Sequence, residues 1–288
     1  MKIRAPAKIN LGLRIVGKRD DGYHLLDTIM VRVSLYDEIG MTKARRFSGG
    51  AARLPRLTVT CSNPSVPSGE GNLVYQAADL IMKGRNVEEP VKIHIEKRIP
   101  LGAGLGGGSS DAAATLIGLN RLFRLNYSLQ QLKKLGYSLG ADVPFFIGGI
   151  SARVRGIGER LSPLRGLSWD WALIVYPGFP VATDWVYRNF QAKLTKPIAN
   201  TSITSLLNKP FGQRRLLVND LETVTLARYP RIGFLKEKLI DEGAAEALMS
   251  GSGSAVFGLF DSRGKAAWAF SRLQKEDGVE TFLVRLLS

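Results

Sequence analysis

Cysteine is almost missing from this chain. Cys61 stands alone among 288 residues, which excludes an intrachain disulfide. Histidine is nearly as scarce, with only His24 and His94, so the ligands of a zinc site are lacking. No apolar run approaches the roughly 18–20 residues that a membrane-crossing helix needs. The opening MKIRAPAKINLGLRIVGKR carries a charge every few residues and so lacks the apolar core of a secretory signal. Acidic residues are in deficit, Asp+Glu 25 against Lys+Arg 40, for a formal charge of +15 and a sequence pI of about 10.1. The basic residues are nevertheless scattered in pairs such as Lys133/Lys134, without a basic run or a basic helix interleaved with aromatics. Such a distribution reads as a solvated basic surface, or as steering of an anionic small substrate, before it reads as nucleic-acid binding. Hydrophobic residues make up 45% and are evenly spread, which excludes a disordered chain. The expectation is a cytoplasmic globular protein, a monomer or weak homodimer, with no nucleic-acid or membrane partner.

The first segment alternates. Ile3, Ala5, Ala7, Ile9, Leu11, Leu13 and Ile15 are apolar, with Lys2, Arg4, Lys8, Asn10 and Arg14 between them. Period two predicts a strand with one face buried, and it places Lys8 and Asn10 together on the opposite face. Asp20-Asp21-Gly22 predicts a turn, 28–35 a second strand, 43–56 a basic loop or hairpin, 72–82 a helix and 91–99 a strand. A glycine-rich turn then enters an apolar helix, and 128–139 predicts a further helix stopped by Gly140. After strand 151–155 the pattern breaks at Gly156, Gly158 and Pro163. It restarts with strand 171–176, helices near 183–190, 201–207, 215–228 and 231–242, and a closing strand, helix and strand. Two α+β domains are expected, cut near 156–168.

The turn PLGAGLGGGSS at 100–110 is the strongest single signal. Gly102, Gly104, Gly106, Gly107 and Gly108 let main-chain amides approach a ligand, and the helix opening at Ser109-Ser110-Asp111 adds free amides and dipole for phosphate. A P-loop fails because Gly108 stands where its lysine belongs. A dinucleotide fingerprint matches Gly102, Gly104 and Gly107, but no Asp or Glu lies between Asp111 and Asp142 to take a ribose. A different anion-cradling loop, as in some small-molecule kinases, is left. So is a turn that only packs helix on sheet.

Other polar groups carry paired readings. In DGYH at 21–24, Tyr23 and His24 suit a planar heterocycle, or His24 is a satisfied turn residue. His94 reads as a residue of a solvated face. Asp142 in GADVPFF is a cap, or a carboxylate that orients and deprotonates a substrate hydroxyl, with Lys8 stabilising negative charge beside it. Alternatively Lys8 is a solvated strand residue. The small-residue loop 248–257 packs on the first glycine loop or touches substrate directly.

PAKINLGL at 6–13, PLGAGLGGGSSDAAA at 100–114 and LMSGSGSAVFG at 248–258 resemble the three motifs of the GHMP kinase superfamily. DGYH, GADVPFF and RGIGERL beside them resemble the members that phosphorylate the 2-hydroxyl of a cytidine-diphosphate-linked methylerythritol, on the non-mevalonate route to isoprenoids. The resemblance implies an α+β, two-domain GHMP kinase fold. Its N-terminal domain, 1–160, would be ribosomal protein S5 domain 2-like and bind nucleotide; its C-terminal domain, 161–288, would be ferredoxin-like and lie on the substrate side. It implies ATP as phosphoryl donor and Mg²⁺ on the phosphate oxygens, with no protein metal ligand assigned. Lys8 and Asp142 match the catalytic pair. Pro100, Leu101, Gly102, Ala103, Gly104, Leu105, Gly106, Gly107, Gly108, Ser109 and Ser110 match the nucleotide loop, and Asn72 an adenine-side contact. Asn10 matches a contact to the methylerythritol part, Tyr23 and His24 the cytosine contacts, and Thr183 and Tyr187 a substrate threonine and a second stacking aromatic, with Trp185 its nearby substitute. Ile157 stands where threonine is expected in RGIGERL. The alternatives are another GHMP small-molecule kinase, or a basic RNA-binding protein with an S5-like domain.

Overall fold

The computed structural model describes residues 1–44, 55–164, 170–190 and 217–287, grouped in two compact units. The first comprises Met1–Ala7, Tyr36–Ile99 and Gly106–Gly149, and the second Lys8–Leu35, Pro100–Leu105 and Ile150–Ser288. They interleave along the chain instead of meeting at a single cut near 160. The reason is the length of two strands, β1 (Lys2–Lys18) and β2 (His24–Lys43), each of which contributes residues to both units.

In the first unit β2 pairs antiparallel with β4 (Val91–Glu96), and β4 pairs parallel with β3 (Leu57–Cys61). Helices α1 (Leu73–Lys83), α2 (Gly107–Leu122), α3 (Leu129–Leu139) and α4 (Val143–Gly148) complete it. Helix α1 begins where Asn72 caps the Val74 amide, and α3 where Ser128 and Gln131 form a reciprocal capping box. Alanines at 112–114 with Leu116 and Leu119 bury α2, and Gly118 brings it so near β2 that a Cβ there would lie 2.6 Å from the Met41 sulfur.

In the second unit β2 pairs with β5 (Ser151–Gly156), and β5 with β6 (Arg160–Pro163). A further sheet of β7 (Trp171–Tyr176), β8 (Glu246–Met249), β9 (Val256–Phe260) and β10 (Glu280–Arg285) runs antiparallel in the order β10-β7-β9-β8. With α5 (Thr183–Asn189), α6 (Glu222–Arg228) and α7 (Pro230–Asp241) before β8, and α8 (Arg263–Leu273) before β10, this is the βαββαβ arrangement of a ferredoxin-like fold. Leu13 and Ile15 of β1 join its apolar core with Val175, Val186, Leu235 and Phe260.

Several sequence expectations change. The strand predicted at 28–35 is part of the longer β2, because Asp37 occupies an inward position of an alternation that runs on through Ile39 and Met41. Strand β1 is buried on both faces from Ala7 to Leu11, not one. Strand β3 and helix α4 have no counterpart in the predicted elements. The helix predicted over 215–228 is described only from Glu222, since Asn219 turns its side chain onto the Leu221 amide and Asn219 bridges to Leu13 instead. The helix at 201–207 and most of the 43–56 segment lie outside the described residues.

Candidate active site

Lys8 is not a solvated strand residue: it is only 4% exposed. Its Nζ donates to Asn10 Oδ1 at 2.5 Å and to the Gly104 carbonyl at 2.8 Å, and its own amide donates to the Leu105 carbonyl. The period-two placement of Lys8 and Asn10 on one face is what brings those two side chains together. Asn10 in turn donates from Nδ2 to Thr28 Oγ1 at 2.9 Å and is itself buried, so its amide orients the lysine head. Gly104 has φ +74°, and a Cβ there would meet the Ser250 carbonyl at 2.0 Å. The 248–257 loop therefore packs on the first glycine loop, the first of the two readings above. Ser250 Oγ donates to the Gly104 carbonyl at 2.9 Å, and the Ala255 amide to that of Ala103 at 3.1 Å. Pro180 lies against Gly102, and the Val181 amide donates to the Gly102 carbonyl. Pro100, Leu101 and Leu105 complete this stretch, and the Tyr176 hydroxyl reaches the Leu101 carbonyl at 3.5 Å.

In the first unit α2 starts from Gly106 at φ +70° with no side-chain cap, so the amides of Gly107, Gly108 and Ser109 open the helix without one. A Cβ on Gly107 would lie 2.9 Å from Lys97 Nζ. Lys97 is buried between two carboxylates, 2.5 Å from Asp37 Oδ2 and 2.7 Å from Asp111 Oδ2. Asp37 Oδ1 also accepts the Arg98 and Ile99 amides. Burial, opposed by the Lys97 charge and reinforced by that of Asp37, pushes the Asp111 carboxyl up to about 8. Burial works to lower the Lys97 pKa, but the two carboxylates outweigh it and raise it. Asp111 Oδ1 and Ser110 Oγ are buried without a hydrogen-bond partner among the described residues. An uncapped helix start beside a buried hydroxyl lacking a partner fits phosphate oxygens and a hydrated divalent cation.

Asp142 belongs to this unit and stands at the N-cap position of α4, yet makes no capping hydrogen bond there. Its carboxylate therefore does not cap α4. The turn before it lies beside α2, since a Cβ on Gly140 would come to 4.0 Å from Ser109 Oγ. Asn72 is different. Its Oδ1 accepts from Val74 at 2.8 Å, its Nδ2 donates to the Pro67 carbonyl at 2.7 Å, and it is buried. Both ends of its amide are engaged with main chain, and it caps α1.

In the second unit the His24 and Tyr187 rings are 5.6 Å apart and tilted by 33°, with Phe190 edge-on to His24 at 5.8 Å. Burial, helped by the charge of Lys18, lowers the His24 pKa below 6.5 and so favours the neutral ring. Trp185 instead packs edge-on against Tyr229. Tyr187, not Trp185, is thus the aromatic beside the histidine. Tyr23 is 62% exposed on the hairpin turn. Thr183 Oγ1 lies 2.8 Å from Ser252 Oγ, which brings α5 to the small-residue loop.

Two family descriptions match the chain, GHMP kinases N terminal domain at 72–149 and GHMP kinases C terminal at 205–279. The chain belongs to the GHMP kinases. A protein of Citrifermentans bemidjiense called 4-diphosphocytidyl-2-C-methyl-D-erythritol kinase is 44% identical over 287 residues, covering 100% of this chain and 99% of that one. One of the same name from Acetivibrio thermocellus is 40% identical over 283 residues, with 96% of each chain covered. A crystal structure of 4-(cytidine 5'-diphospho)-2C-methyl-D-erythritol kinase aligns over 100% of both chains at 35% identity with a TM-score of 0.83. A homoserine kinase from Cytophaga hutchinsonii, 18% identical at a TM-score of 0.74 over 100% of this chain and 95% of its own, shares the fold.

Among the buried polar groups that escape notice in the sequence are Asp37, the Lys97 side chain and Asn219. Asp37 lies 60 residues from Lys97, and Asn219 30 and 32 residues from the carbonyls it donates to, so spacing carries no trace of those bonds. Among the described residues no helix is long and apolar enough to cross a membrane.

Proposed function

We propose that this GHMP kinase transfers the γ-phosphoryl of ATP to the 2-hydroxyl of 4-diphosphocytidyl-2-C-methyl-D-erythritol, a step of the non-mevalonate route to isoprenoids, in the cytoplasm and as a monomer or weak homodimer. The observation that carries the substrate choice is the His24 ring 5.6 Å from Tyr187. A neutral imidazole both donates and accepts, as the edge of cytosine requires, and an aromatic beside it offers the base a face. Tyr23 supplies a second face, Thr183 a polar contact, and Asn10 acts chiefly through Lys8.

The amides of the 100–110 loop and the α2 start hold the triphosphate, because they present donors and a positive dipole end to an anion. Ser110 Oγ could help hold a Mg²⁺ ion, which would supply neutralising charge to the phosphate oxygens. Asp142 orients the acceptor hydroxyl and takes its proton as the oxygen bonds to phosphorus and the bond to the β-phosphate breaks. The Lys8 ammonium offsets the negative charge that collects on the transferring group. Functionally, 1–160 serves nucleotide and 161–288 substrate, although residues 8–35 fold with the latter.

An ADP-release assay with the cytidyl substrate, run against mevalonate, homoserine and galactose, tests the reading. Turnover with the cytidyl ester alone is expected; turnover with another acceptor and not with it overturns the substrate. Asp142→Asn at near-normal rate would remove the role given to that carboxylate.

A further inference from the structure

Asn219 has no part in the proposed reaction, yet it is buried. Its Nδ2 donates to two carbonyls of the small-residue loop, Met249 at 2.9 Å and Gly251 at 2.7 Å, and its Oδ1 accepts from Leu221 at 3.0 Å. Both amide hydrogens and one lone pair of the amide oxygen are thereby engaged. The main chain around it is tied to β1: Leu13 donates to Val218 at 2.8 Å, Asp220 donates to Leu13 at 2.9 Å, and Asp220 Oδ2 accepts from Ile15 at 2.8 Å. Residues 218–220 are therefore a strap with one side on the strand that carries Lys8 and the other on the 249–251 turn.

That turn meets the lysine head. A Cβ on Gly251, at φ +56°, would lie 3.3 Å from both Lys8 Nζ and Asn10 Oδ1 and 3.4 Å from the Gly104 carbonyl. Ser250, one residue earlier, donates to the same Gly104 carbonyl that accepts from Lys8. Asn10 and the Gly104 carbonyl accept from the ammonium, and the Gly251 turn lies close beside it, so where that turn sits bears on the lysine head. We propose that Asn219 is a positioning residue for Lys8, acting by clamping the 249–251 turn against the lysine head. This rests on the catalytic reading of Lys8.

The mechanism is geometric. Removing both donors from Asn219 frees two carbonyls, and the turn backs away from Lys8 by enough to misplace its charge. Misplacement on the order of 1 Å costs about 10²-fold in rate. Asn219→Asp keeps the shape and the bond from Leu221 but replaces the donors with an acceptor, and Asn219→Ser serves where the aspartate variant does not fold.

The test is a cycle of four full-length proteins: wild type, Asn219→Asp, Lys8→Met and the double variant. Turnover is read at saturating ATP and cytidyl substrate, and calorimetric ATP stoichiometry is read on each to count folded sites. We expect Asn219→Asp to lower kcat about 10²-fold with KM for ATP little changed. In the Lys8→Met background the same substitution changes turnover less than two-fold, because the group it positions is gone. An equal loss in both backgrounds means a general structural role and overturns the proposal, as does unchanged kcat in Asn219→Asp while Lys8→Met is inactive. Full activity of Lys8→Met is a separate outcome, and it overturns the role of Lys8 itself.

Discussion

Gly104 offers a controlled test of how closely the two small-residue loops are fitted. At φ +74° an L-residue there adopts a left-handed conformation, which costs about 1–2 kcal/mol. Its Cβ would also stand 2.0 Å from the Ser250 carbonyl oxygen and 3.1 Å from that of Gly253. Both obstacles are main chain, so no side-chain rotation relieves them, and overpacking adds about 1–3 kcal/mol. Gly104→Ala should then lose about 2–5 kcal/mol of stability in all. Gly22 is the reference: it has φ +90°, and an added Cβ meets nothing within 4 Å. Gly22→Ala should cost the conformational part alone, about 1–2 kcal/mol. Urea unfolding of the two variants under one buffer measures the difference. Because the Gly104 carbonyl accepts the Lys8 ammonium, the same variant should also turn over more slowly than Gly22→Ala. Equal destabilisation by the two alanines would refute the claim that the second loop is seated on the first.

Other perturbations reach other parts of the molecule. Lys97→Met leaves Asp37 and Asp111 facing each other without a cation and should cost about 3–5 kcal/mol. The Asp111 carboxyl titrates at about 8 in the fold against 3.8 when exposed, so the folded state holds a proton that the unfolded state releases. That favours the fold most below about pH 4 and is lost as pH rises toward about 8, so melting temperatures of Asp111→Asn should gain on wild type from acid to alkaline buffer. A wild-type melting temperature that tracks the asparagine variant at every pH would refute the shift. The His24 pKa lies below 6.5, hence KM for the cytidyl substrate should rise as acid protonates the ring, and His24→Gln should flatten that rise. Tyr187→Ala should raise the same KM about ten-fold, in line with about 1–3 kcal/mol for stacking on a base, and Trp185→Ala should not.

What the sequence made legible is what short-range physics controls. The alternation of 3–15 gives β1, the capping pair Ser128 and Gln131 starts α3, and Gly140 ends it. The 100–110 glycines announce a backbone that must turn left-handed and come close to something, and Gly102, Gly104 and Gly106 do have positive φ. The packing of 248–257 on that loop was readable for the same reason, since two glycine-rich stretches permit each other's approach. Lys8 and Asn10 share a face because strands have period two, although nothing local says that this face is buried.

Burial of polar groups is where local reading stops, and the reason is energetic. A lysine or aspartate avoids the interior unless a partner compensates its desolvation, so its burial is decided by residues elsewhere in the chain. Lys97 looks like one of several exposed cations until Asp37, 60 positions earlier, and Asp111, 14 later, are folded around it. Asn219 resembles a loop residue until the carbonyls of Met249 and Gly251, 30 and 32 positions on, accept its amide. Asn72 differs in that its side-chain partners, the Val74 amide and the Pro67 carbonyl, are local. The same compensation rule separates these cases. A buried polar group bonded to main chain holds structure, as Asn72 and Asn219 do. Ser110 Oγ, buried and without a partner among the described residues, is the kind of group that a bound phosphate or cation completes. On that ground Ser110→Ala should weaken nucleotide binding while leaving the melting temperature of the ligand-free protein nearly unchanged, because no protein bond is lost. A fall in that melting temperature with nucleotide affinity intact would reverse the assignment.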